Sequence, residues 1–102
     1  MESENQVIVT VGADLRKVVS DVVGERRRQD EKWGVQNHPN PTWLTILAEE
    51  VGEAAQDTLE NDFAKNPLAR AVSHITLRTE LVRVAAVAIA WIQALDRKVS
   101  HE

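Results

Sequence analysis

The sequence contains no cysteine, which excludes a disulfide framework and any thiolate metal site and is compatible with a reducing compartment such as the cytoplasm. Glycine and proline are scarce, four and three residues, and their positions mark boundaries. No phosphate-cradling glycine loop and no Ser-His-Asp arrangement is visible. Long apolar runs are missing too. The longest, Val84 to Ile92, is nine residues, against the roughly 20 that a spanning helix needs. The opening MESENQ is acidic and lacks the basic and apolar regions of a secretory signal. Residues 7–11, VIVTV, are β-branched but have no second such run to pair with, and read as an arm. Positive charge is in the minority, 12 Lys and Arg against 16 Asp and Glu for a net charge of −4. That balance disfavours a nonspecific grip on nucleic acid polymers.

What is present is a globular composition, 43% hydrophobic and 27% charged over 102 residues, the length of one domain. A domain this small buries little more than roughly 60% of its unfolded surface, so self-association is expected to supplement the core. The organisation reads as an N-terminal arm over 1–13, a helical domain over 14–98 and a tail over 99–102.

Periodicity predicts an all-α fold, a bundle of three long helices with a possible short one, completed by oligomerisation. Leu15, Val18, Val19, Val22 and Val23 follow the i, i+3, i+4, i+7 rule, and Gly34 supplies a stop, so the first helix spans about 14–33. The segment GVQNHPNP reads as a loop. Asn40 and Pro41 read as N-cap and first helical position of a second helix, which carries Trp43, Leu44, Ile46, Leu47, Val51, Ala54, Ala55 and Leu59 and ends near Asn61. Asn66 and Pro67 read as a cap opening one or two turns. A last helix is expected from about Ile75–Leu77 to Lys98. Between Leu81 and Leu95 only Arg83 and Gln93 are polar, and a helix apolar nearly all round must be covered on several sides. Subunits packing as a bundle across a two-fold axis would do so.

The sharpest chemical feature is Glu49, Glu50 and Glu53 in LAEEVGEAAQD. On a helix, Glu50 and Glu53 (i, i+3) and Glu49 and Glu53 (i, i+4) project from one side, where like charges repel. Either solvent dissipates that repulsion, as on an ordinary acidic face, or a cation offsets it. Three observations favour a cation: the acids interrupt an apolar stretch, Gly52 between them permits close approach of a backbone or ligand, and Glu80 heads the apolar last helix as the lone acid between Asp62 and Asp96. With the two helices antiparallel, Glu50, Glu53 and Glu80 can converge into an all-oxygen site. Magnesium, which completes its octahedron with water and phosphate oxygens, suits it. A di-iron site is not supported, because the Glu-x-x-His pair such bundles use is lacking.

The first helix adds Arg26, Arg27, Arg28 and Lys32. The arginines fan round the helix, and pairs such as Arg26 with Asp30 read as surface ion pairs. Lys32 with Gln29 and Trp33 groups an ammonium, an amide and a ring, suited to phosphate, hydrogen bonding and stacking. Trp33, Trp43 and Trp91 each also fit a plain core role, Trp91 above all. His38 reads as a solvated or capping loop residue, and His74 and His101 carry no signal.

The order ERRRQDEKWG, NHP, W-L-x-I-L-x-E-E-V-G-E and E-L-V-x-V-A-A-V-A-x-A-W-I resembles the MazG-like branch of the all-α nucleoside triphosphate pyrophosphohydrolases, over about residues 18–97. In that family an E-x-x-E on one helix and an E-x-x-D on a later one hold magnesium within dimeric or tetrameric bundles. The resemblance implies hydrolysis of a nucleoside triphosphate to the monophosphate and pyrophosphate. By position Glu50 and Glu53 match the first pair, Glu49 an extra leading glutamate, and Glu80 the first acid of the second pair. The expected metal ligands are therefore Glu50, Glu53 and Glu80, with Glu49 or another of these acids as general base. Arg28 and Lys32 are expected on the phosphates, and Gln29 and Trp33 near base or sugar. Arg83 stands where the family has its aspartate. Three outcomes follow from that departure: Arg83 contacts the triphosphate, it turns away while fewer metals suffice, or the protein binds nucleotide without turning it over.

Overall fold

A computed structural model describes residues 12–63 and 65–101, with the side chains of 99–101 excepted. The fold is all-α: three helices, α1 (Ala13–Trp33), α2 (Asn40–Phe63) and α3 (Pro67–His101), and no strand among the described residues. The VIVTV segment expected as an arm lies outside the described residues. No helix among the described residues is long and apolar enough to cross a membrane.

Gly34 ends α1 as its position predicts. Its φ of 72° is in the range glycine reaches without a Cβ penalty, and its N–H bonds to the Asp30 carbonyl at 2.8 Å. Asn66 caps α3 through its side chain, Oδ1 accepting from the Ala69 N–H at 2.8 Å. The start of α2 is built differently from the expectation. The Pro39 carbonyl accepts from the N–H groups of Thr42 and Trp43, while Asn40 Oδ1 accepts from Trp91 Nε1 at 3.0 Å. Asn40 thus ties α2 to α3 instead of capping α2.

The last helix also differs from the expectation. No break separates a short piece at 67 from a long helix beginning at 75–77; α3 runs unbroken for 35 residues. Ser73, His74 and Thr76 blur the apolar pattern there, yet none of them stops a helix.

Helix α3 is the spine, and α1 and α2 both pack on it, α2 over the greater length. The core lies where the first half of α2 meets the later half of α3: Trp43, Val87, Ala90 and Ala94, with Ile46, Leu47 and Trp91 packed against them. Alanines at 90 and 94 let α2 approach closely, and Trp43, 3% exposed, fills the seam. Trp91 is half-buried with its N–H on Asn40, not the deep core residue its position suggests. Helix α1 is pinned to α3 by two polar contacts from its middle turns. Arg78 donates to Asp21 at 2.8 Å, and Arg26 donates from Nη2 to Gln93 at 2.9 Å. Among the described residues no large side chain is fully buried, and Leu81, Ile89, Ile92 and Leu95 leave one side of α3 uncovered.

Candidate metal and phosphate site

Beyond the Trp43 seam, toward the middle of α2, the facing surfaces become acidic. Glu50 and Glu53, one turn apart on α2, meet Glu80 of α3, and each offers an oxygen such that all three lie within 4.8 Å of one another. Glu80 is buried at 9% exposure, Glu50 is half-buried and Glu53 is exposed. One oxygen of Glu50 and one of Glu80 are buried with no hydrogen-bond partner. A buried carboxylate oxygen without a partner is costly. With all three groups ionised there is no donor among them, so a proton, a cation or a water molecule must satisfy the orphaned oxygens. The Glu53 carboxyl accordingly stands above its ordinary value of 4.5. Hydrogen bonding to Glu80 and the charge of Glu80 are the main causes, while Arg83 pulls the other way.

Arg83 follows Glu80 by one turn and bonds to it, Nη1 to Oε1 at 2.7 Å. It lines a cavity of about 480 Å³ together with Glu50, Glu53, Arg28, Lys32 and Trp33. Arg26 and Arg97 complete the cationic lining. Four acids, Glu25, Asp30, Glu50 and Glu53, line the same cavity, and Arg26, Arg28 and Arg83 are each paired with an acid, so the lining is of mixed charge, with Lys32 at its edge.

The structure brings together all the residues singled out in the sequence but one. Glu50, Glu53, Arg28, Gln29, Lys32, Trp33 and Arg83 line the cavity, and Glu80 joins them through the carboxylate cluster. Glu49 does not; it is exposed and lies outside both the cluster and the cavity lining. Arg28 and Gln29 are also less free than the sequence suggests. Glu25 takes two bonds from Arg28, at 2.8 and 2.6 Å, and a long one of 3.4 Å from the Gln29 amide. The Arg28 bonds, with the charges of Arg28 and Arg83, hold the Glu25 carboxyl below its ordinary value. The spacing of Glu25 to Arg28 and Gln29, i+3 and i+4, was the available signal for this further acid at the site.

Three other details depart from the expectation. Arg26 is no surface ion pair: its side chain is 14% exposed and bonds Gln93 as well as Asp30. His38 is partly buried with its ring edge-on to Trp43 at 4.9 Å, and its Nε2 has no partner. Gly52 is not approached, since a Cβ there would meet nothing within 4 Å. Lys32 stands over the exposed Trp33 ring, 4.5 Å from its centroid, in a cation–π contact at the cavity rim. Arg97 fastens the connecting segment to α3 through Asn37 Oδ1 and the Gln36 carbonyl.

The donor set fits a hard divalent cation: three carboxylates, two of them with unsatisfied buried oxygens, and no sulfur or imidazole in the cluster. No family model, curated protein or solved structure matches the chain.

Proposed function

We propose that the protein is a magnesium-dependent pyrophosphohydrolase that cleaves a nucleoside triphosphate to the monophosphate and pyrophosphate. The observation that carries this reading is the cluster of Glu50, Glu53 and Glu80, with orphaned buried oxygens, beside a cavity whose lining includes Arg28, Lys32 and Arg83. The three glutamates hold the ion. When bound, magnesium neutralises phosphate charge and acidifies a water molecule. Lys32 and Arg28 steady the phosphate chain, Arg28 by releasing Glu25. Trp33 and Gln29 lie on the same rim, where a base or sugar would rest. Glu53 is the most exposed of the three acids, and an oxygen of it not used by the ion is placed to take the proton of the attacking water, the general-base role that Glu49, outside the cluster, is badly placed to fill.

The working unit in this reading is a homodimer or homotetramer. Leu81, Ile89, Ile92 and Leu95 are 52%, 38%, 56% and 40% exposed along one side of α3, a stripe that a second copy would cover. The nucleotide substrate and the absence of cysteine agree with a cytoplasmic setting.

The test is to incubate the purified protein with magnesium and each common nucleoside triphosphate and to measure pyrophosphate. Release above that of Glu53→Gln is expected for at least one nucleotide, and none for any nucleotide would remove the enzymatic reading. The ion pair between Arg83 and Glu80 favours one rival, a protein that binds nucleotide but has lost turnover. Calorimetry separates the two: magnesium-dependent nucleotide binding without pyrophosphate release selects the rival.

A further inference from the structure

We infer that Arg83 takes the place of a second divalent cation, so that the site holds one ion and the guanidinium supplies the remaining positive charge to the substrate's phosphates. The inference rests on the pyrophosphohydrolase reading and specifies how that site is charged.

The first argument is charge balance. Glu50, Glu53 and Glu80 set three negative charges within 4.8 Å of one another, and Arg83 adds one positive charge at 2.7 Å from Glu80. The resulting charge of two negative is neutralised by one divalent ion. A second ion would leave the half-buried site with an excess of two positive charges before any substrate arrives, against both Coulomb repulsion and desolvation. A carboxylate at position 83 would change the balance to four negative charges, which suits two ions.

The second argument is the occupancy of Glu80. One of its oxygens accepts from Arg83, and the other is buried without a partner. Glu80 therefore has one oxygen wholly free for a metal, while the other already shares its lone pairs with Arg83. The third argument is the posture of Arg83. Its bond to Glu80 is the one hydrogen bond it makes among the described residues, its side chain is 40% exposed, and it lines the cavity. A guanidinium carries five N–H donors in a fixed plane, so most of them remain for phosphate oxygens. The glutamate that holds the ion thus also aims the arginine.

Manganese titrated into the nucleotide-free protein, followed by electron paramagnetic resonance and calorimetry, tests this, with circular dichroism confirming that each variant is helical. Wild type should bind one ion per chain. Arg83→Gln should still bind one, about tenfold more tightly because a neighbouring positive charge is gone, while its affinity for a non-hydrolysable nucleoside triphosphate falls about tenfold. Arg83→Asp should bind two. A merely structural role for Arg83 would weaken both ligands, so opposite signs identify its function, and wild type with Arg83→Gln carries the test if Arg83→Asp does not fold. Two ions in wild type, or weaker manganese binding by Arg83→Gln, overturns the inference. No manganese binding by any of the proteins overturns it together with the metal-dependent function. One ion with the expected response to Arg83→Gln, but no pyrophosphate release, sustains the inference and overturns the hydrolase reading alone.

Discussion

The two halves of the contact between α2 and α3 are built on opposite principles. Near the start of α2, Trp43 closes against Val87, Ala90 and Ala94, and the seam is apolar. Two to three turns along, the same pair of helices presses Glu50 and Glu53 against Glu80 and leaves two buried oxygens without partners. The first half gains stability from burial; the second holds like charges closer than they would stand in water. A site poised to take up a cation has to be held together by something other than itself, and here the adjoining apolar seam does it.

The largest effect should come from breaking the apolar half. Trp43→Ala removes the most buried large side chain of the cluster and should cost about 3–5 kcal/mol, read as a lowered midpoint in urea. A loss below about 1 kcal/mol would mean that the seam does not support the fold. Next is the effect of magnesium on the acidic half. At about one hundred times its dissociation constant, the ion should add about 2.7 kcal/mol to wild type and much less to Glu53→Gln, as a difference in melting temperature. Equal stabilisation of both proteins would place the ion elsewhere.

The pH dependence of metal-free protein should follow from Glu53. Its carboxyl is raised above 4.5 in the folded chain, so the folded state binds more protons than the unfolded one between 4.5 and that raised value. Stability therefore falls as pH rises through this window, and magnesium, which competes with the proton, should bind more tightly across the same interval. Urea midpoints taken through the window, with and without magnesium, should diverge; parallel curves would separate Glu53 from the ion. The smallest effect belongs to the tie between α1 and α3 at Asp21. Its carboxyl is lowered from 3.8 by Lys17 and Arg78, so its contribution is present above 3.8 and is lost as pH falls through the lower folded value. Exposed pairs contribute little, and Asp21→Asn should shift the melting temperature at neutral pH by no more than about 2 °C.

Much of this was legible in the sequence, and the reasons are physical. The limits of α1, the stop at Gly34 and the shared face of Glu50 and Glu53 are local consequences of helical spacing. The meeting with Glu80 was legible because a lone acid beside a long apolar stretch needs a partner, although Glu80 lies well inside α3 and not at its head. What escaped depends on distant neighbours. Asn40 looks like a cap until Trp91 claims its oxygen. His38 looks solvated until Trp43 lies against it. Arg28 looks free until Glu25 engages it. The continuity of α3 was missed for another reason: its polar early turns dilute the apolar pattern without containing a residue that breaks a helix.

The alanines at 90 and 94 have a consequence beyond packing. Small side chains on that stripe set the separation of the two helix axes, and the same separation fixes how wide the jaws formed by Glu50 and Glu80 can open. In the metal-binding reading, the ionic radius that these jaws grip best is thus calibrated by methyl groups that never touch the ion. Enlarging one of them would be expected to retune the preference from smaller toward larger divalent cations while every ligand stayed in place.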